Sequence, residues 1–353
     1  MADSDRENSL HWKMLGGTDE AYRVAQMIEG LMMAQVLLAF DRFGLADRLA
    51  AGPRTAGELA PEVGAGGDPL GRLLNAASVY QLVSRDAAGR YTLTSTGELM
   101  RTTADSSASG LAGGFLGPPL WSAFSKIVDV LQGEKVDPAA PGGMYEYYGQ
   151  HPEEAIWFAR AMGRVTGTMV AELGASGFRP LGSGRIVDVG GSRGTLLAYL
   201  LRTDPASTGI LFDRKEAMAE APGFLASAGV ADRAELAPGS FLQEVPAGGD
   251  LYVLSQVLHN WDDERVRVIA GNCHRASRPG GHLMVIEYVL PDGPEPSAAF
   301  LMDLIMLTAL AGRERTREQL EALLGPCGYT LVRDTPLNRV LPWRILEFQH
   351  EPG

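Results

Sequence analysis

The feature that most constrains this chain is a short apolar run, Arg185-Ile186-Val187-Asp188-Val189. It ends in the turn Gly190-Gly191-Ser192-Arg193-Gly194 and leads into a helical pattern over Leu196 to Arg202. Glycines let the backbone approach a ligand closely and adopt positive φ. In a strand–turn–helix context they mark a nucleotide-type site. Further apolar runs follow at Ile210 to Asp213, Leu251 to Leu254 and His282 to Val289, with helical segments at Lys215 to Ala228 and Glu264 to Ser277. Strands alternating with helices predict a parallel, doubly wound sheet, hence an α/β Rossmann-like second half.

The turn also carries a chemical preference. Asp188 ends the strand just before the glycines, and Asp213 ends the next strand, where a carboxylate can take two ribose hydroxyls. A carboxylate beside a pyrophosphate is unfavourable, whereas one beside an ammonium and a sulfonium is not. The pair therefore favours S-adenosylmethionine over a nicotinamide dinucleotide; a glycine-rich turn without a ligand is the alternative.

The first half reads as mostly helical. From Ala21 to Leu38 the apolar residues recur at helical spacing, and Met27 to Phe40 is apolar on nearly every side, which predicts burial in a core or against a second subunit. Thr55 stands three residues before Glu58, the spacing of a capping box. A second helix is expected over Pro69 to Tyr80, then a hairpin of Leu82 to Ser84 and Tyr91 to Thr94 around a turn at Asp86 to Gly89. Helix, helix, hairpin is a winged-helix pattern. Its recognition-helix candidate holds Arg72 as the sole cation, and Lys+Arg total 31 against Asp+Glu 43, a net charge of −12 in 353 residues. Such a surface repels phosphate backbones, so a role in dimerisation is expected and nucleic acid is not. The stretches Gly110 to Pro119 and Pro138 to Gly143 read as loops, and helical spacing resumes from Pro152 to Leu173.

No run of roughly 18–20 uninterrupted apolar residues occurs, so no membrane span is expected. Met1 to Asn8 is polar and unlike a signal peptide. The two cysteines, Cys273 and Cys327, are too few for a disulfide framework. A cytoplasmic location follows as the expectation. Cys273 and His274 are badly spaced for metal ligation on a helix, and no metal is expected. His11, His151, His282 and His350 belong to no motif.

Four blocks, in order, resemble the small-molecule O-methyltransferases of plant caffeic-acid and flavonoid metabolism and of bacterial antibiotic tailoring. They are Asp188 to Gly194, Leu258-His259-Asn260-Trp261-Asp262-Asp263-Glu264, Arg278-Pro279-Gly280-Gly281 followed by Val285-Ile286-Glu287, and Gly312-Arg313-Glu314-Arg315-Thr316. The resemblance runs from about Ala21 to the C-terminus. It implies an N-terminal, mostly helical, winged-helix dimerisation domain (1–105), a helical linker and pocket segment (106–180) and a Rossmann-like methyltransferase domain (181–353) that ends in an antiparallel strand pair. It also implies a homodimer, S-adenosylmethionine as cofactor, and an aromatic small molecule as substrate.

Carried over by resemblance, His259 is the general base. Its ordinary pKa near 6.5 suits removal of a phenolic proton. Glu287 and Glu314 flank it to fix the tautomer, although Glu314 could instead pair with Arg313 or Arg315. Cofactor contacts fall on Asp188, Gly190, Gly191, Asp213, Ser240, Phe241, Ser255 and Trp261. Ser240 stands where an Asp is common, and Ser255 where Lys is. Arg193 either reaches a methionine carboxylate or faces solvent, and Trp261 either stacks near adenine or packs in the core. Substrate contacts fall on Phe158, Met162, Asn260, Met302 and Met306, with Trp121 and Phe124 beside them; Asn260 replaces the usual Asp. Relatives that hydroxylate, decarboxylate or cyclise, or that methylate carbon or nitrogen, stay open as alternatives. So does a ligand-sensing regulator without catalysis.

Overall fold

The computed structural model describes residues 9, 11–104, 107–136, 144–337 and 340–350. The chain packs into two compact units, Met1–Trp121 with His151–Arg164, and Ser122–Gln150 with Val165–Gly353. Residues of the 106–180 segment are divided between them. Met1 to Asn8 and the Pro138 to Gly143 stretch lie outside the described residues.

In the first unit, a helix spans Asp19–Arg42, opened by Thr18, whose side chain accepts from the Ala21 N–H. The Thr55–Glu58 capping box is formed in both directions and starts the Ala56–Val63 helix. The Gly67–Val79 helix buries Leu70, Leu74 and Ala77. The hairpin pairs strand β1 (Val83–Arg85) with β2 (Tyr91–Leu93), and the Asp86 carboxylate accepts from the Ala88 and Arg90 amides to close its turn. These elements meet over Phe40, Leu45, Leu59, Leu70, Leu74 and Tyr91. Each such side chain taken fully out of water is worth ~1.5–3 kcal/mol.

Two expectations change here. Gly110 to Pro119 is not a loop: it holds helix Leu111–Phe115 and the start of helix Pro118–Ser125. The glycines are there for packing. A Cβ on Gly113 would sit 2.3 Å from the Trp157 ring, and one on Gly114 would sit 2.4 Å from Ala161 Cβ. The buried Asp41 carboxylate accepts from Gly110 N and Gly113 N and so anchors the first turn. The Asp19–Arg42 helix, second, is long and apolar enough by length and composition to pass for a membrane span. It nevertheless buries Tyr22, Ala25, Glu29, Phe40 and Asp41 in protein, and its outer stripe of Val24, Met27, Ile28, Leu31 and Met32 stays uncovered, Met27 at 78 % exposure.

The second unit is built on a seven-stranded sheet. Its strands are β3 (Arg185–Val189), β4 (Thr208–Asp213), β5 (Ala234–Pro238), β6 (Gly249–Ser255), β7 (Ser277–Tyr288), β8 (Tyr329–Leu337) and β9 (Trp343–His350). The spatial order is β5-β4-β3-β6-β7-β9-β8. β3 to β7 run parallel, and β9 pairs antiparallel with both β7 and β8. Side chains alternate between faces. Ile186, Leu211, Val253, Met284, Ile286 and Ile345 pack one way, and Val187, Ile210, Phe212, Leu254, Val285 and Leu346 the other. β5 was not legible because it is a short edge strand, Ala-Glu-Leu-Ala-Pro, with polar and apolar residues half exposed. The expected Lys215 to Ala228 helix is confined to Ala221–Ser227, with Pro222 in its first turn.

Candidate active site

The parallel strands bring their carboxyl ends to one side of the sheet, where ligands meet folds of this kind. Val189 of β3 pairs with Phe212 of β4 and Leu254 of β6, so the turns after these strands are neighbours. In the first turn Gly190 and Gly194 have φ of 76° and 84°, and Ser192 joins them at 52°. The Gly190 N–H donates to Phe212 O at 2.7 Å, and Ser192 N donates to Asp213 Oδ2 at 2.9 Å. The two acidic residues are thus tied to one loop.

Asp188 is 1 % exposed, and its Oδ2 has no hydrogen-bond partner among the described residues. An unpaired buried carboxylate oxygen is costly. Burial, reinforced by the Asp213 charge, pushes the Asp188 carboxyl up to about 7. A Cβ on Gly191 would fall 2.4 Å from that same oxygen. Asp188 and Leu211 already fill the place a Cβ would take, so glycine is required for the turn to press against the carboxylate, and an ammonium at Oδ2 would supply the missing donor. Burial raises Asp213 too, opposed by the Arg214 and Ser192 amides.

Beside this turn, a Cβ on Gly190 would lie 2.8 Å from Val257 and 3.7 Å from the Phe241 ring. Phe241 meets Trp261 edge-on, centroids 5.9 Å apart. Trp261 is buried in the core, with the Arg265 guanidinium 5.6 Å over its ring. Ser240 is half-buried one residue before Phe241, and Ser255 Oγ donates to Met169 Sδ at 3.7 Å. Arg193 turns to the neighbouring helices: its guanidinium lies 4.7 Å over the Phe224 ring of the Ala221–Ser227 helix and Nε donates to Thr195 Oγ1.

His259 stands in a one-turn helix, Leu258–Asn260, just beyond β6. It is 6 % exposed. Its Nδ1 is 2.8 Å from Glu314 Oε1 and 3.4 Å from Glu287 Oε2. With Nδ1 donating to Glu314 Oε1, Nε2 is the nitrogen left to take a proton. Glu287, on β7, uses Oε1 to accept from Val257 N and Leu258 N at 3.0 and 2.8 Å, and Oε2 also receives Gln256 Nε2. Burial is the largest single influence on His259 and opposes its charge. The charges of Glu287 and Glu314, the Glu314 hydrogen bond and the Gln256 backbone carbonyl together outweigh it, pushing His259 up to about 9. Burial pushes Glu287 up to about 7 against the pull of His259.

Glu314 does not pair with its neighbours among the described residues. The Arg315 guanidinium turns instead to Asp263. The Glu314 amide donates to Asp303 Oδ1 at 2.8 Å. Nearby, Asn260 Nδ2 donates to Gln256 O. Met306 is buried and opens a π-helical turn, Met306–Leu310, that packs on the Leu258–Asn260 turn. Such turns concentrate at functional sites. Met302 is half-buried against the sheet core. Phe158 and Met162 are half-buried in the first unit, which also holds Trp121, while Phe124 belongs to the second.

Ligand atoms of His259, Glu287 and Glu314 all lie within 4.8 Å of one another, a spacing that a divalent ion could also use. The hydrogen bonds already described satisfy Glu287 without one, while Glu314 Oε2 has no hydrogen-bond partner among the described residues. Sequence reasoning missed Gln256, Asp303 and Asp263 as neighbours of this site. Gln256 is a non-glycine at φ 57°, a conformation that no sequence pattern announces.

A family model described as the O-methyltransferase domain matches residues 121–330, and one described as the O-methyltransferase dimerisation domain matches residues 25–103. The chain is 34 % identical over 314 residues to a phenazine O-methyltransferase of Lysobacter antibioticus, covering 88 % of this chain and 91 % of that protein. It is 31 % identical over 349 residues to an 8-amino-8-demethylriboflavin N,N-dimethyltransferase of Streptomyces davaonensis, covering 94 % and 96 %. Among solved structures, an O-methyltransferase from neocarzinostatin biosynthesis superposes with a TM-score of 0.77 at 29 % identity over 90 % of this chain and 96 % of that one. That protein was crystallised with S-adenosylmethionine and 2-hydroxy-5-methyl naphthoic acid.

Proposed function

We propose that this chain, which belongs to the O-methyltransferase family, methylates a phenolic or enolic hydroxyl of an aromatic or polyketide-like secondary metabolite, with S-adenosylmethionine as donor and His259 as general base. The observation that carries the reading is the buried His259 ring held by Glu314 at 2.8 Å and Glu287 at 3.4 Å beyond the carboxyl end of the parallel sheet.

When bound, S-adenosylmethionine supplies a methyl group on a cationic sulfur. Asp188 Oδ2 fits its ammonium, Asp213 its ribose hydroxyls, and Phe241 with Val257 an apolar wall beside Gly190. His259 Nε2 takes the hydroxyl proton. Glu314 and Glu287 hold the ring's other nitrogen and stabilise the imidazolium that results. In the second unit, Asn260, Met302 and Met306 face the aromatic substrate, where thioethers adapt to ring shape. The uncovered stripe of Val24, Met27, Ile28, Leu31 and Met32, which from Met27 on lies within the match to the dimerisation domain, pairs two copies of the chain. The cytoplasm, where Cys273 and Cys327 stay reduced, is its location.

One observation favours a second reading. A ring pushed up to about 9 carries its proton at neutral pH, which suits an amine acceptor that needs no base; a relative named above acts, by its name, on an amine.

Calorimetric titration with S-adenosylmethionine and S-adenosylhomocysteine tests the cofactor. Micromolar binding lost in Asp213→Ala is expected, and no binding by the unaltered protein contradicts the reading. A panel of phenols and aryl amines follows: His259→Ala should abolish turnover of phenols and, under the second reading, spare amines.

A further inference from the structure

We infer that Arg315 is the positioning residue of His259: its buried guanidinium binds the backbone on both sides of the histidine and fixes the turn at the distance the Glu314 contact needs. The inference rests on the reading of His259 as general base.

Arg315 is 3 % exposed. Nη1 donates to Leu258 O at 3.2 Å, the carbonyl just before His259, and Nη2 donates to Trp261 O at 2.8 Å, two residues after it. Nη1 also reaches Arg313 O at 3.3 Å. The outer edge is held by Asp263 Oδ1, which accepts from Nε at 3.1 Å and from Nη2 at 2.7 Å. One planar group therefore bridges the 258–261 turn, the start of the next helix and the 312–316 segment.

That segment carries Glu314, the closest partner of the His259 ring. Its own backbone is locked to the same turn: Arg313 N donates to His259 O at 2.9 Å. A Cβ on Gly312 would lie 1.9 Å from His259 O, so glycine is required for the approach. Arg315 is fixed in turn by a parallel bridge to Val289, where Leu290 N donates to Arg315 O at 3.0 Å. Val289 lies two residues beyond Glu287. The guanidinium thus ties together the histidine and the two segments that supply its carboxylates. The Trp261 N–H closes the same turn on Leu258 O at 3.2 Å, and the guanidinium adds a second tie by donating to both the Leu258 and the Trp261 carbonyls. Arg315 reaches no reacting atom; it acts through His259.

A lysine keeps the charge, but its ammonium is a compact point donor and does not match a planar fork with acceptors on three sides. Displacing a catalytic group by about 1 Å lowers turnover on the order of 10²-fold. The prediction for the full chain is that Arg315→Lys and Arg315→Gln lower kcat by about that factor. The KM for the hydroxyl substrate and the affinity for S-adenosylmethionine should stay within about twofold, a pattern of interactions made only in the transition state. The pH limb assigned to His259 should move down from about 9, because a ring that slips away from its carboxylates loses what raised it. A purely structural arginine would lower the melting temperature without moving that limb.

Asp263→Asn loosens the guanidinium without removing it and guards against a variant that fails to fold; it should shift kcat and the limb in the same direction by less. The deciding comparison is Arg315→Gln in the His259→Ala background. If Arg315 acts through His259, the double variant is no slower than His259→Ala alone. If it multiplies the two losses, or if Arg315→Gln and Asp263→Asn both keep the wild-type kcat and limb, the inference is overturned. If His259→Ala itself leaves phenol methylation intact, the general-base reading fails first, and that result is separate.

Discussion

The site contains two kinds of buried acid, a few strands apart. Asp188 is shut away from water with one carboxylate oxygen unpaired and Gly191 pressed against it. Glu287 is equally buried, yet both its oxygens are committed, one to two backbone amides and the other to His259 and Gln256. A protein does not leave a buried carboxylate unsatisfied without cause. The contrast separates two tasks: an acid that waits for a ligand's donor, and an acid whose donors are all internal and whose work is to tune a neighbour.

The largest effect should fall on the tuned side. His259→Ala is expected to lower kcat for phenol methylation by about 10²–10⁴-fold, the usual range for general-base removal, while calorimetry finds the cofactor affinity unchanged. Asp188→Asn should do the reverse. Hydrogen bonds to charged groups contribute about 1.5–3 kcal/mol, so S-adenosylmethionine should bind roughly 10–100-fold more weakly, with kcat largely retained at saturation. If both variants damaged both quantities equally, the division would not hold.

A smaller effect is in pH. The Asp188 carboxyl sits at about 7 and must ionise to receive an ammonium. Binding of S-adenosylmethionine should therefore tighten as pH rises through about 7 and weaken below it, measured as Kd against pH; Asp188→Asn should flatten the curve. The smallest expected effect is none: EDTA should leave turnover unchanged, because Glu287 is held by the Val257 and Leu258 amides and the His259 ring by Glu314. Loss of activity restored by a divalent ion would assign that cluster to a metal instead.

Much of this was readable from residues. Buried parallel strands announce themselves as apolar runs, so β3 was located to the residue, and the Thr55 capping box was visible because its chemistry is local. What was hidden depended on distant neighbours. Gly113 and Gly114 look like helix breakers until Trp157 and Ala161 press against them. β5 carries too little apolar pattern to be seen. At the site, His259, Glu287 and Glu314 were named through motif resemblance, but their spacing comes from three separate segments. Arg315 sat in a quoted motif as a possible mate for Glu314. Its true partners, Asp263 and the carbonyls of Leu258 and Trp261, lie more than fifty positions away along the chain and leave no local trace.

The central claim is that two carboxylates hold His259 in a state where its proton must leave before it can act. The most direct test is kcat for phenol methylation measured from pH 6 to 10. With His259 pushed up to about 9, the ring is mostly protonated at pH 7. The account predicts a logarithm of kcat that climbs through neutral pH and levels off near 9, with the bend shifted downward in Glu314→Gln. A profile that is flat from pH 6 to 9, or a bend that Glu314→Gln does not move, would contradict it.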